Sequence, residues 1–242
     1  MWQLNDCWPT TSWAIADYYL LRKAAYYSIR RALLPVAVGV CRKFHDWTMR
    51  PADELWKRDT GHVDLRPVFN GVEFDVWVAS SRLCPVEAKV TINIISIKSG
   101  GLLKSMEKSL TVQPNGTTEV MRKFRYDEQD GDANKPFQFS QADPVVVHIM
   151  VAVDGQIVST DVSWPDPIKY LSFEERGVEV SYSQDKRLVR IVAKKPVKGF
   201  SFSELKGVTL SDNGFDIMPG EVKEITVDGT MADRLRWMYI GK

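Results

Sequence analysis

The chain has 242 residues, of which 44% are hydrophobic and 26% are charged, and its formal net charge is +1. This composition is ordinary for a globular protein, and the length suits one large domain or two smaller ones. The small net charge excludes a general attraction to nucleic acid or to anionic membranes, and no run approaches the ~18 apolar residues of a membrane span.

The strongest helical pattern lies within the first 34 residues. From Asp17 onward, tyrosines, leucines and basic residues recur at helical spacing. Arg30 and Arg31 come late in this run, where positive charge suits the C-terminal end of a helix, and Pro35 ends it. The pattern predicts one amphipathic helix that begins near Asp17 and ends at Leu34.

After Pro35 the pattern becomes that of β-strands. Phe74, Val76 and Val78 alternate with polar neighbours, as strands with one buried face do. The segments 114–116 (Pro-Asn-Gly) and 154–155 (Asp-Gly) are turn signals between strands. The first also begins a glycosylation sequon at Asn115, but the turn alone explains its residues. The pattern predicts an immunoglobulin-like antiparallel β-sandwich.

The segment 164–167 (Trp-Pro-Asp-Pro) marks a boundary, because two prolines in three residues oppose both helix and sheet. A second, smaller sandwich is predicted beyond it. Its predicted strands are residues 178–182, 188–193, 200–202, 207–210, 221–227 and 236–240.

The three cysteines, Cys7, Cys41 and Cys84, are odd in number and widely spaced. This spacing suits neither a metal site nor a disulfide framework. Reduced thiols are typical of cytosolic proteins, so we expect a cytoplasmic location.

The three histidines, His45, His62 and His148, lack the spacing of metal ligands, and no metal or other cofactor is predicted. Asp46 follows His45, but neighbours on a strand point to opposite faces and do not form an acid–base pair. His148 stands inside an apolar run and is predicted to be a satisfied core or face residue rather than a ligand.

Three tryptophans and an Asn-Asp pair fall within the first thirteen residues: Trp2, Asn5, Asp6, Trp8 and Trp13. Indole rings offer flat apolar faces that suit stacking on a sugar ring. Asn and Asp offer donors and acceptors for hydroxyl groups. This density of residues suits a sugar-binding site.

Two motifs carry a resemblance to a known family. Residues 2–9 (Trp-Gln-Leu-Asn-Asp-Cys-Trp-Pro), followed by Ser12-Trp13, Asp17-Tyr18 and Lys23, closely resemble the last strand and helix of the TIM barrel in β-mannosidases of glycoside hydrolase family 2. Residues 210–216 (Leu-Ser-Asp-Asn-Gly-Phe-Asp), with Pro-Gly-Glu at 219–221, resemble the signature of that family's C-terminal immunoglobulin-like domain. The resemblance covers essentially the whole chain and is closest to the fungal intracellular type.

The resemblance implies a mainly β fold in three parts. Residues 1–34 would be the C-terminal remnant of the catalytic (β/α)8 barrel. Residues 35–163 would form an immunoglobulin-like β-sandwich. Residues 164–242 would form the C-terminal immunoglobulin-like β-sandwich of the β-mannosidase type.

The family hydrolyses terminal non-reducing β-D-mannose with retention, which requires two carboxyl groups about 5–5.5 Å apart. The resemblance places both catalytic Glu residues on earlier barrel strands, one of them directly after an Asn. This chain contains no Asn-Glu dipeptide. No catalytic residue is therefore assigned, and we expect the chain alone to be inactive.

The expected partners follow from the same resemblance. A β-mannoside or manno-oligosaccharide would bind through the parent enzyme, and the rest of the barrel would be an intramolecular partner. No nucleic acid or membrane partner is expected.

The resemblance also gives the N-terminal residues their expected roles. Trp2 corresponds to the platform under the non-reducing-end mannose. Asn5 and Asp6 either form hydrogen bonds near the sugar or anchor the loop, since both residue types are also favoured in turns. Trp8 and Trp13 are expected to be packing anchors between barrel and sandwich.

Two other functions are open at this stage. A non-catalytic carbohydrate-binding module would use sandwich aromatics such as Trp47, Trp56 or Trp77, although this rests on fold analogy. A purely structural role would have the sandwiches support the barrel.

Overall fold

A computed structural model describes residues 3–43, 72–126, 144–165, 168, 171–173 and 175–242. An N-terminal segment with one helix precedes two β-sandwiches, and the strands of every sheet pair antiparallel. The predicted mainly β fold is thus confirmed. Within the described ranges, no helix has the length and apolar character needed to cross a membrane.

The N-terminal segment contains a shorter helix than the sequence pattern predicts. Helix α1 spans Ala24–Ala32 and buries Tyr27. The predicted start at Asp17 is wrong, because Leu20 has a φ of 63° and interrupts any helix there. Instead, Oδ1 of Asp17 accepts a hydrogen bond from the Leu21 amide at 2.8 Å, which closes a turn.

In the described parts of residues 36–163, seven strands form the first sandwich. One sheet has the order β1-β2-β5 and the other β4-β3-β6-β7, and alternate residues of both sheets point into a common apolar core. The turn predicted at residues 114–116 and the hairpin predicted at 154–155 are both present. The strands are β1 (Val36–Arg42), β2 (Val72–Ser80), β3 (Val86–Ser96), β4 (Leu102–Val112), β5 (Gly116–Tyr126), β6 (Val145–Val153) and β7 (Gln156–Ser163).

Side chains of β7 also satisfy the free edge of β1. Val38 N–H donates to the Ser159 hydroxyl at 3.2 Å, and Val40 N–H donates to the Asp161 carboxylate at 3.0 Å. These bonds fasten the two sheets to each other along one side of the sandwich.

The second sandwich pairs a sheet of order β11-β13-β9-β8 with a sheet of order β12-β10-β14. The sequence pattern did not predict β12, which is only three residues long. The strands are β8 (Glu179–Tyr182), β9 (Leu188–Val192), β10 (Val197–Phe202), β11 (Thr209–Leu210), β12 (Phe215–Ile217), β13 (Lys223–Asp228) and β14 (Trp237–Met238).

A separate apolar cluster joins the two sandwiches. It packs Ile97 and Val146 of the first sandwich against Met218 of the second, with Trp164 between them. The Trp164 indole N–H also donates to Oδ2 of Asp216 at 2.6 Å. The division of the chain at residues 34 and 163 stays a prediction from the sequence.

Candidate functional site

The loop that carries the predicted sugar-site residues is held by backbone bridges. Asp6 N–H donates to Ala16 C=O at 3.1 Å, and Ala16 N–H donates to Leu4 C=O at 3.0 Å. These bonds bring the two ends of the loop together, so that residues 4–16 form a closed turn in front of α1.

Asp6 is the buried centre of this loop, with only 5% of its surface exposed. Its Oδ1 accepts a hydrogen bond from the Ser12 hydroxyl, and its Oδ2 lies 3.0 Å from Nζ of Lys23. The hydrogen bond from Ser12, opposed by burial and assisted by Lys23, lowers the pKa of Asp6. Asp6 is therefore ionised at neutral pH and ties the loop to the residue that precedes α1.

Asn5, in contrast, is exposed, and its amide donates to the carbonyl of Asp6 at 3.2 Å. Trp2, the predicted mannose platform, lies outside the described residues. The contacts of Asp6 are those of a loop anchor, and a contact of Asn5, Asp6 or Trp2 with sugar stays a prediction.

Trp8 and Trp13 are 71% and 83% exposed. Neither indole packs into the apolar clusters of the described chain. Both rings thus lie on an exposed surface of the described residues, and their expected packing between barrel and sandwich stays a prediction.

Helix α1 is seated on the second sandwich through a buried tyrosine. The Tyr27 hydroxyl donates to Oε1 of Glu204 at 2.8 Å, and the Asn213 side-chain amide donates to the same oxygen at 2.8 Å. Burial and the Glu204 carboxylate raise the pKa of Tyr27 to about 12, so the phenol remains a donor at physiological pH. Asn213 also bonds both backbone groups of Phe202, which fixes this seat to β10.

Arg31 makes a second set of contacts between α1 and the second sandwich. Nη1 of Arg31 lies 2.6 Å from Oδ1 of Asp212, and Nη2 donates to Gly214 C=O at 2.7 Å. Gly214 has a φ of +61°, and an added Cβ would lie 3.2 Å from Cβ of Ala24. The Asp-Asn-Gly motif of residues 212–214 is thus a seat for α1 as well as a turn.

Sequence reasoning did not assign this interface. Only the Asp-Asn-Gly motif was noticeable in the sequence, as part of the family signature at residues 210–216. Tyr27, Arg31 and Glu204 gave no signal, because their partners are remote in the chain.

His148 of the first sandwich contacts Glu221 of the second. Its Nε2 atom on β6 lies 3.1 Å from Oε1 of Glu221, and its side chain is 3% exposed. The prediction of a satisfied core or face residue is confirmed, and of the two positions His148 takes the core.

The described residues contain no group of three or more His, Cys, Asp or Glu side chains placed to hold a metal ion. Cys7, Cys41 and Cys84 are free and exposed. The carboxylates of Asp6, Glu204 and Glu221 are occupied by internal partners. These hydrogen bonds and ion pairs hold the loop, the helix and the two sandwiches in a fixed arrangement.

Two family models match the chain. A model described as "Mannosidase Ig/CBM-like domain" matches residues 72–170, and one described as "Ig-fold domain" matches residues 173–236. The matched ranges follow the two sandwiches.

Curated relatives are similar over the whole chain. A protein named Beta-mannosidase B from Aspergillus niger is 38% identical over 248 residues, covering 100% of this chain and 26% of its own length. Beta-mannosidase B from Aspergillus terreus is 37% identical over 249 residues, covering 100% of this chain and 27% of its own length. The chain thus spans about a quarter of the length of these relatives.

Solved structures share the fold. A β-D-mannosidase from Dictyoglomus thermophilum matches 99% of this chain and 26% of its own, with a TM-score of 0.67 and 18% identity. An exo-chitosanase from Amycolatopsis orientalis matches 98% of this chain and 29% of its own, with a TM-score of 0.59 and 15% identity. Together with the curated relatives and the family models, the two motifs show that the chain resembles the C-terminal part of the β-mannosidases of glycoside hydrolase family 2.

Proposed function

We propose that this chain is the C-terminal part of a β-mannosidase that removes terminal non-reducing β-D-mannose from β-mannosides by the retaining mechanism. Its residues Trp2, Asn5 and Asp6 supply one wall of the mannose site. The two catalytic carboxylates come from the barrel that accompanies it, and the chain by itself does not hydrolyse mannosides. The observation that carries this proposal is the 38% identity to Beta-mannosidase B along the entire chain.

The exposed surface of the N-terminal segment supports the proposal. The side chains of Leu20 and Leu33 are 69% and 75% exposed, in addition to the exposed indoles of Trp8 and Trp13. Contiguous apolar patches are rare on soluble monomers and mark surfaces that pack against something. The rest of a barrel is a partner of the required chemistry, because its helices bury the apolar faces of their neighbours.

The seat of α1 supports a mechanical role for the second sandwich. Tyr27 and Arg31 connect the last barrel helix to residues 204 and 212–214. Because the loop of Asp6 is tied to Lys23 directly before this helix, the sandwich holds the helix, and the helix holds the wall of the mannose site.

Complementation in trans tests the proposal. The Aspergillus niger Beta-mannosidase B, lacking the region that aligns with this chain, is mixed with the purified chain and a chromogenic aryl β-D-mannoside. We expect turnover from the mixture and none from the chain alone, since loss of a general acid by itself typically costs about 10²–10⁴-fold.

A pair of variants controls for non-specific rescue. Trp13→Ser combined with Leu33→Ser disrupts the apolar surface and is expected to weaken rescue. Leu83→Ser, an equally exposed position on the first sandwich, is expected to leave it unchanged. Hydrolysis by the chain alone, or equal rescue by both variants, would contradict the proposal.

A further inference from the structure

A cavity of about 640 Å³ lies where α1, the first sandwich and the second sandwich meet. Its volume falls within the range of about 300–1,000 Å³ that is typical of small-molecule sites. It is separate from the loop of Asp6, and none of the residues predicted for the mannose site lines it.

One wall of this cavity is a flat indole. Trp77 on β2 is paired with Gly39 on β1, and an added Cβ on Gly39 would lie only 2.5 Å from Cε2 of the Trp77 ring. The ring therefore lies down across β1, which is possible because the residue opposite has no side chain. Trp77 lines the cavity together with the small residues Ala37 and Ala79, which leave room beside the indole.

The opposite walls are polar and nearly neutral. Three basic and four acidic side chains line the cavity together with His148: Arg31, Lys198, Lys223, Asp161, Asp212, Asp216 and Glu221.

These charges are mostly paired with each other. Nζ of Lys198 lies 3.8 Å from Asp216, and Nζ of Lys223 lies 3.5 Å from Glu221. A wall of internally compensated charges has no strong preference for an anion or a cation. It offers donors and acceptors to a neutral ligand that carries many hydroxyl groups.

From the indole platform, the polar walls and the volume of the cavity, we propose that this cavity is a second saccharide-binding site, which takes a short neutral oligosaccharide. The C–H face of a pyranose stacks on Trp77, and its hydroxyls bond to Thr160 and Lys198 across the cavity. The family model described as Ig/CBM-like covers Trp77, which accords with a binding role for this face.

The site lies between the sandwiches and needs no catalytic group. A ligand there bridges both sandwiches and α1, so it also stiffens the junction that seats the helix. The proposed function enters this inference only in the choice of a mannose-based probe.

The test is titration of the purified chain with linear β-mannotriose, followed by calorimetry and by saturation-transfer NMR of the sugar. Cellotriose and maltotriose are run beside it, to separate recognition of mannose from recognition of any neutral trisaccharide. We expect saturable binding at one site per chain, with at least one of the three sugars.

Two variants locate the site. Trp77→Ala removes the platform and is expected to weaken binding by about tenfold or more. Thr160→Val keeps the shape of its side chain, removes a hydroxyl and is expected to weaken binding by a smaller factor. Both side chains lie outside the apolar core, so thermal unfolding should remain cooperative in each variant.

Trp8→Ala is the matched control, since its indole is exposed and lies in the N-terminal segment. It is expected to bind as the unmodified chain does. Absence of binding by every sugar, or binding that survives Trp77→Ala, would overturn the inference. Binding lost only in Trp8→Ala would also overturn it and would assign the sugar to the N-terminal wall, which leaves the proposed function intact.

Discussion

Nε2 of His148 and Oε1 of Glu221 lie 3.1 Å apart across the junction of the two sandwiches. The other carboxylate oxygen of Glu221 accepts a hydrogen bond from Met218 N–H at 3.0 Å, and Nζ of Lys223 lies 3.5 Å from it. Burial alone would raise the pKa of Glu221, but the hydrogen bond and charge of His148, with Lys223 and the Met218 amide, lower it to about 2. The carboxylate is thus held ionised at the centre of the junction.

This pair predicts an acid-sensitive junction. A carboxyl whose pKa is lower in the folded state stabilises the fold fully above its unfolded pKa of 4.5, and the stabilisation is lost as the pH falls towards about 2. We expect Glu221→Gln to lower the free energy of unfolding by about 1–3 kcal/mol at pH 7 and by much less near pH 2. Urea unfolding across this pH range measures the difference.

Glu224→Gln is the control for this prediction. Glu224 lies on β13, three residues after Glu221, is exposed and pairs with Arg190 at 2.7 Å. Exposed ion pairs are worth about 0–1 kcal/mol, so its effect should be small. An equal loss of stability in both variants, or a loss in Glu221→Gln that does not depend on pH, would contradict this account.

The Tyr27 hydroxyl predicts a stability effect at the helix seat. Tyr27→Phe leaves the Glu204 carboxylate with one fewer donor and should cost about 0.5–1.5 kcal/mol in the free energy of unfolding. Tyr26→Phe, on the same helix, should cost less than about 0.5 kcal/mol. Denaturant unfolding compares the two, and a larger effect at Tyr26 would show that the seat is not where we place it.

A substitution at Gly214 is predicted to loosen α1 locally. Gly214→Ala places a side chain at a φ of +61° and against Ala24, so we expect a loss of about 1–2 kcal/mol and faster hydrogen exchange of the α1 amides. Gly155→Ala imposes similar backbone strain at a φ of +76° but has no atom within 4 Å of its Cβ. It should destabilise the chain without a selective effect on α1.

We predict that the contacts of Asp6 keep the N-terminal loop rigid. Asp6→Asn removes the charge that faces Lys23 and should expose residues 4–16 to limited proteolysis. Asn5→Ala, which removes only a bond to the Asp6 carbonyl, should be cleaved at the rate of the unmodified chain. Equal resistance in all three proteins would contradict the anchoring role of Asp6.

The sequence predicted those parts of the fold whose causes are local. The hairpin at Asp154-Gly155 follows from turn chemistry, because Gly adopts a positive φ freely and Asp tolerates one. The strands of the first sandwich follow from strict alternation in β2 and β3. The helix start failed because Leu20 takes a backbone conformation that its residue type does not favour.

The candidate site was predictable only in part. The N-terminal motif pointed to Asn5 and Asp6 but left their role open, since the choice depends on whether Ser12 and Lys23 fold back onto the carboxylate. The partners His148 and Glu221 belong to different sandwiches, and no periodicity connects them. Gly39 gave no signal either, because its function depends on the ring of a residue on a neighbouring strand.

The most direct measurement of the central claim is the hydrolysis of a chromogenic aryl β-D-mannoside by a grafted enzyme. In this grafted enzyme, the chain replaces the region of the Aspergillus niger Beta-mannosidase B that aligns with it. We predict turnover with mannoside, and a KM raised by about tenfold in the Trp2→Ala graft, which loses the proposed platform. A graft that is folded and yet does not hydrolyse the mannoside, or that is indifferent to Trp2→Ala, would contradict the claim.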